Sequence, residues 1–235
     1  LNKWLSANIA FIVPQPGFWF KNDGWAILWA NINEVQQMPF EVELKARLHR
    51  PEVVKARAAE IGEWVGETFK EDVYFRRQGD PSRFPAERYR LRREAGQAVV
   101  TFKQLVQTGD TEVNDEVEFA VSDAFAFFRF ADHFGFEPFV VKRKRVEVYR
   151  VGRAHVELNE VAHAGHFAEI EILCDDETEI PAARLEVAAI LARLGLTQVD
   201  LEPTPYILMI QAAYPVQYRF VCDSALNWPF AEISV

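Results

Sequence analysis

Charged and apolar residues exchange at every step of Phe40-Glu41-Val42-Glu43-Leu44-Lys45-Ala46, and only an extended strand gives such a segment two coherent faces. Glu41, Glu43 and Lys45 share one face, and Phe40, Val42, Leu44 and Ala46 share the other. The pattern recurs along the chain. Arg88, Arg90 and Arg92 oppose Tyr89 and Leu91; Thr101 and Lys103 share a face; Glu112, Glu116 and Glu118 oppose Val113, Val117, Phe119 and Val121. Lys142 and Lys144, or in the other register Arg143 and Arg145, continue the basic set, and Glu157 with Asn159 precede Glu169 and Glu171.

A single strand of this kind is equally an antiparallel edge with one solvated face. The number of charged ladders weighs against that reading, because exposed ion pairs contribute only about 0–1 kcal/mol each. Three helical stretches are available to bury the apolar faces, so a sheet curled into a barrel with helices outside would turn the charged faces inward. Such a lumen is costly when empty and favourable when metal ions and a polyanion fill it. Glu41 and Glu43, roughly 7 Å apart on a strand, can grip a divalent cation while Lys45 meets an anion that the cation also holds.

Roughly half the residues are apolar (49%) and the net charge is -9. A sizeable core is therefore available, whereas a general nucleic-acid binder would need a clustered basic surface. Cys174 and Cys222 are the only cysteines, which indicates neither a disulfide framework nor a structural zinc site and suits a reducing cytoplasm. No apolar run approaches the ~20 residues of a membrane span, and no leader pattern opens the chain. His155, His163 and His166 find no third soft ligand, which argues against zinc catalysis.

Residues 1–37 carry four of the six tryptophans and few charges, and Met38 directly precedes the first charged strand. That segment is expected to be either a non-native extension ahead of a start at Met38 or an apolar arm that covers part of the domain. The central domain is expected over 38–210, followed by a charge-poor C-terminal extension, 211–235. Helices are expected from Pro51 to about Phe69, from about Asp123 to His133 with Ser122 as cap, and from Pro181 to Leu194, stopped by Gly195. Strands are expected at 39–48, 72–77, 88–94, 98–104, 112–121, 141–150, 154–161 and 167–173, with a hairpin turn at Glu94-Ala95-Gly96-Gln97. The class is α+β with a mostly antiparallel sheet.

Together these motifs resemble the CYTH superfamily of triphosphate tunnel metalloenzymes over 38 to about 209. The opening Glu-x-Glu-x-Lys appears as Glu41, Glu43 and Lys45, a Leu-Arg-x-Arg-like strand as Arg90-Leu91-Arg92, and a Thr-Tyr-Lys-like strand as Thr101-Phe102-Lys103. A basic cluster, a glycine turn and a Glu-x-Glu strand appear as KRKRVEVY and AGHFAEIEI. The resemblance implies an eight-stranded antiparallel tunnel that binds a small-molecule triphosphate with Mg²⁺ or Mn²⁺. Its implied phosphate ligands are Lys45, Arg90, Arg92, Lys103 and Arg145, with Lys144 as the alternative to Arg145. Its implied metal-facing residues are Glu41, Glu43, Glu116, Glu118, Asn159, Glu169 and Glu171, and its catalytic set is Lys45, Glu43 and Arg145. Asn159 stands where the family usually has aspartate; an amide oxygen can ligate magnesium but brings no charge and accepts no proton from water.

The activity expected from this resemblance is metal-dependent hydrolysis of an inorganic, thiamine or nucleoside triphosphate. Two alternatives stand beside it: a class IV adenylyl cyclase, which the stretches HFAEIEILCDDETEI and LEPTPYILM resemble, and a non-catalytic polyphosphate or nucleotide binder. Neither a nucleic-acid nor a membrane partner is expected. The flanking tryptophans would suit association into a homodimer.

Overall fold

The computed structural model describes residues 40–107, 111–220 and 230–234. The expected extension at 1–37 lies outside them. Eight strands close into an antiparallel barrel: β1 (Phe40–Arg47), β2 (Glu63–Arg77), β3 (Arg88–Glu94), β4 (Gln97–Gln107), β5 (Glu112–Val121), β6 (Phe136–Val151), β7 (Ala154–Val161) and β8 (Gly165–Cys174). Around the barrel they run β1-β5-β4-β3-β2-β6-β7-β8 and return to β1. Every pairing is antiparallel, so closure leaves no free sheet edge. Two further strands, β9 (Val216–Phe220) and β10 (Phe230–Ser234), pair with each other. This is the expected eight-stranded α+β barrel.

Among the described residues four α-helices accompany it: α1 (Pro51–Ile61), α2 (Ala124–His133), α3 (Ile180–Arg193) and α4 (Tyr206–Ala213). Val54 and Ala58 of α1 and Val187, Ile190 and Leu191 of α3 bury against Val42, Leu44, Ile170 and Ile172 on the outer wall. Phe128 and Ala131 of α2 pack on Val73, Phe75, Leu91 and Val100, where the rings of Phe75 and Tyr89 stack with centroids 4.9 Å apart. The residue that caps α2 is Asp123, whose side chain accepts from the Ala126 amide at 3.0 Å, rather than Ser122. At the β3–β4 hairpin Ala95 and Gly96 both take positive φ, 48° and 80°, the conformation of a two-residue type I′ turn.

The largest departure from the sequence reading lies between 62 and 71. The first helix ends at Ile61, and the chain becomes β2 from Glu63 rather than from 72. Trp64 and Val65 fit a helical spacing, but both are exposed; Gly62 is extended, and β2 pairs with β6 from Glu63 to Arg77. Gly62 is needed for close approach: a Cβ there would come within 2.9 Å of the Arg150 carbonyl oxygen and 2.8 Å of Val151 Cγ2. Gly62→Ala should therefore cost about 1–3 kcal/mol through overpacking, read as a lower urea midpoint at unchanged slope; an unchanged midpoint would show that the α1–β2 corner relaxes freely.

The barrel is closed at one end. On the inward faces, Tyr74, Val140, Val161 and Phe167 form an apolar floor against Tyr206, Ile207 and Ile210 of α4. The segment leading into α4 is tied to β1 by a bridge between Ala46 and Leu201 and by the Glu202 amide, which donates to the Lys45 carbonyl at 3.0 Å. The sequence reading placed no helix at 206–213. Among the described residues no helix is long and apolar enough to cross a membrane.

Candidate active site

Above this floor lies a cavity of about 310 Å³, lined by Lys70, Arg90, Arg92, Lys103, Lys142, Lys144, seven glutamates and Leu173. The inward period-two positions of β1 to β8 converge here or on the floor. The charges sort into three groups.

Asp72, fully buried, accepts two bonds from Arg92, at 2.7 Å to Nε and 3.1 Å to Nη2, and an ion pair from Lys142 at 2.9 Å. Burial alone would raise its pKa, but Lys142, Arg92 and Arg90 hold the carboxyl well below the usual range.

In the second group Lys103 Nζ bonds Glu41, lies 2.9 Å from Glu116 and reaches 3.9 Å from Glu43. Arg90 adds a bond to Glu116 at 3.3 Å, and Thr101 donates to Glu118 at 2.6 Å. Burial, opposed by Lys103 and reinforced by Glu43 and Glu171, raises Glu41. Burial and the neighbouring Glu169 push Glu43 up to about 7, and burial likewise raises Glu171. Glu116 is also buried, but Lys103 and Arg90 draw it down to about 2.

In the third group Lys144 Nζ bridges Glu157 at 2.8 Å and Glu169 at 3.0 Å, while Lys70 holds Glu157 at 2.7 Å. Asn159 donates from Nδ2 to Glu169 at 2.8 Å. Despite burial, Lys144 draws Glu169 down to about 2, and Glu157 falls well below its ordinary value.

The structure thus gathers Glu41, Glu43, Arg90, Arg92, Lys103, Glu116, Glu118, Lys144, Glu169 and Glu171 around one cavity. Arg145 is not among them. It stands on the outer face of β6, largely exposed and 3.3 Å from Glu67, because the strand register turns Lys142 and Lys144 inward; a shift of one residue exchanges the two sets. Lys45 points toward the floor, where its ammonium donates to the Thr204 carbonyl at 2.6 Å and lies 4.5 Å from the Tyr206 ring centroid. Asn159 is buried behind the lining residues. Arg88 turns to the Pro85 carbonyl at 2.7 Å and the Phe84 ring, and His163 stacks on Tyr214 with centroids 4.0 Å apart.

Lys70 escaped the sequence reading because its strand was begun at residue 72, and Asp72, the first residue of that shortened strand, was not singled out. The signal was present: Lys70, Asp72 and Tyr74 alternate with Phe69, Glu71, Val73 and Phe75.

The donor chemistry fits a hard divalent cation. Glu43 and Glu171 stand directly opposite across β1 and β8, where burial, with neighbouring carboxylates adding to it, raises both pKa values. Among the described residues no three acids or imidazoles stand at ready-made metal spacing; Lys103 fills the space beside Glu41 and Glu43. Stability should carry this signature. A carboxyl raised in the folded state favours folding increasingly as pH falls from its folded value toward its unfolded value of about 4.3. The metal-free protein should therefore melt at a higher temperature near pH 5.5 than near pH 8, and millimolar Mn²⁺ should narrow the gap by stabilising the ionised form. A melting temperature that rises steadily with pH over that interval would contradict the Glu43 assignment.

The CYTH domain profile matches residues 39–206. An adenylate cyclase of Aeromonas hydrophila, CyaB, is 30% identical over 93 residues, which span 40% of this chain and 42% of that protein. A provisionally named adenylate cyclase of Methanocaldococcus jannaschii is 24% identical over 168 residues, 71% of this chain and 96% of that protein. Among solved structures, the PH1012 protein of Pyrococcus horikoshii superposes with a TM-score of 0.63 at 28% identity, covering 72% of this chain and 98% of that one.

Proposed function

The chain belongs to the CYTH domain family, whose members act as triphosphatases or class IV adenylate cyclases, and we propose that it hydrolyses a triphosphate with the help of a divalent cation. The observation that carries this reading is the cavity lining: among the described residues six cationic side chains face seven carboxylates, and Leu173 is the one uncharged lining residue. A phosphate chain is matched at every wall, whereas a nucleobase would find only Leu173 to pack against.

In this reading Arg90, Arg92, Lys103, Lys142 and Lys144 bind the phosphate oxygens, and the arginine forks fix their orientation. Lys103 exchanges its carboxylate partners for phosphate. Glu41, Glu43 and Glu171 would hold Mg²⁺ or Mn²⁺, which neutralises phosphate charge when bound. Water attacks the terminal phosphorus in line, the bond to the bridging oxygen breaks, and the leaving phosphate's charge falls to Arg90 and Arg92. The proton of the attacking water passes to a carboxylate of the lining.

The names of the two cyclase relatives favour a second reading, in which the ribose 3′-hydroxyl of ATP attacks the α-phosphorus and pyrophosphate leaves. Incubation with tripolyphosphate, thiamine triphosphate and ATP, each with Mg²⁺ or Mn²⁺, separates the two. Hydrolysis predicts metal-dependent orthophosphate, with tripolyphosphate the best substrate. Cyclic AMP with equimolar pyrophosphate and no orthophosphate would overturn it.

A further inference from the structure

Two cross-strand pairs of carboxylates in the lumen involve β8, and the structure treats them differently. Glu43 stands opposite Glu171 across β1 and β8, and Glu157 stands opposite Glu169 across β7 and β8. Carboxylates directly opposite in a sheet repel unless a cation lies between them. Between Glu157 and Glu169 that cation is built in: Lys144 Nζ reaches both, at 2.8 and 3.0 Å. Lys70 occupies the second oxygen of Glu157 at 2.7 Å, and Asn159 Nδ2 shares the Glu169 oxygen that Lys144 holds, at 2.8 Å. Glu43 and Glu171 have no such bridge. Lys103 approaches Glu43 only to 3.9 Å, and among the described residues Glu171 has no hydrogen-bond or ion-pair partner.

The side chain of Asn159 is the informative one. Its amide is 1% exposed, and while Nδ2 serves Glu169, Oδ1 is left buried without a partner. The reverse orientation would set an acceptor against a carboxylate, so the donor must face Glu169. An aspartate here would add a third carboxylate beside Glu157 and Glu169 with only Lys144 to bridge them.

We propose that Lys144 and Asn159 act as positioning residues that substitute for a metal ion at the Glu157–Glu169 pair, so that the lumen takes one divalent cation, at the Glu43–Glu171 side, and not two. The inference deepens the phosphohydrolase reading and rests on it for the identity of the ligand. It also withdraws Glu169 from the metal-facing set and makes it a counter-ion for Lys144.

Counting bound Mn²⁺ on the full chain, by the electron paramagnetic resonance of free Mn²⁺ under equilibrium dialysis, tests it without reference to turnover. The wild type should bind one equivalent. Glu171→Gln should weaken that binding about tenfold or more and Glu169→Gln by less than about threefold, the contrast between a ligand and its surroundings. Asn159→Asp should create a second equivalent, and Lys144→Met, which exposes the same pair to itself without altering Asn159, should do so as well. Two equivalents on the wild type, equal weakening by the two glutamine variants, or one equivalent on both the Asn159→Asp and Lys144→Met proteins would overturn the inference while leaving the phosphohydrolase reading intact. No bound Mn²⁺, with or without tripolyphosphate, would overturn both.

Discussion

Lys103→Met should lower turnover of tripolyphosphate by a factor of about 10²–10³, the loss typical of a positioned group that stabilises transition-state charge. Among the described residues Lys103 is the one cation within reach of Glu41, Glu43 and Glu116 together, so its removal has two consequences of opposite sign. The phosphate loses a ligand, and the three carboxylates lose their counter-charge. Affinity for tripolyphosphate should fall while affinity for Mn²⁺ rises, a split that general damage to the barrel would not produce. Arg145→Ala provides the comparison. Its guanidinium stands on the outer wall, and turnover should remain within about threefold of the wild type, since surface changes away from special features usually cost less than ~0.5 kcal/mol. Weakened Mn²⁺ binding in Lys103→Met, or a large loss of turnover in Arg145→Ala, would contradict this distribution of roles.

Asp72→Asn should be the most destabilising single change in the lumen. The substitution keeps the shape and removes the charge that Arg92, Lys142 and Arg90 share. Breaking a buried ion pair from one side typically costs about 3–5 kcal/mol, because the remaining charges stay desolvated. With a urea slope of about 2 kcal/mol/M, the midpoint should drop by roughly 1.5–2.5 M. The pH dependence gives an independent check. The Asp72 carboxyl lies well below its unfolded value, so its contribution is fully present above about pH 4 and is lost as pH falls through the folded value. The wild type should lose stability steeply in acid and Asp72→Asn less so, which brings the two curves together at low pH. Parallel curves would show that Asp72 is not the group responsible.

Much of this barrel is legible in the sequence because its lumen is polar and its outer wall apolar, so each strand writes both faces locally. Glu41 to Ala46 and Arg88 to Arg92 are read correctly for that reason. Where two periods overlap, the reading fails. Trp64 and Val65 continue the spacing of α1, and only the extended backbone of Gly62, fixed by its approach to Arg150 and Val151, ends the helix. That error removed Lys70 from view. The basic run Lys142-Arg143-Lys144-Arg145 satisfies either register by composition, and the choice is made by the neighbours: Val140 and Val161 are needed inside at the floor. The contacts of Lys45 have no local signal at all. They depend on Thr204 and Tyr206, 159 and 161 positions away, delivered by the turn into a short helix whose apolar residues show no contrast between faces.

The most direct test of the charged lumen as a phosphate site is a crystal structure of the full chain with Mn²⁺ and a non-hydrolysable imidotriphosphate. The phosphate chain should lie inside the barrel against Arg90, Arg92, Lys103, Lys142 and Lys144, with Lys103 released from Glu41 and a metal ion at Glu43 and Glu171. A triphosphate bound only on the outer wall, or a lumen whose ion pairs remain as they are in the free protein, would contradict it.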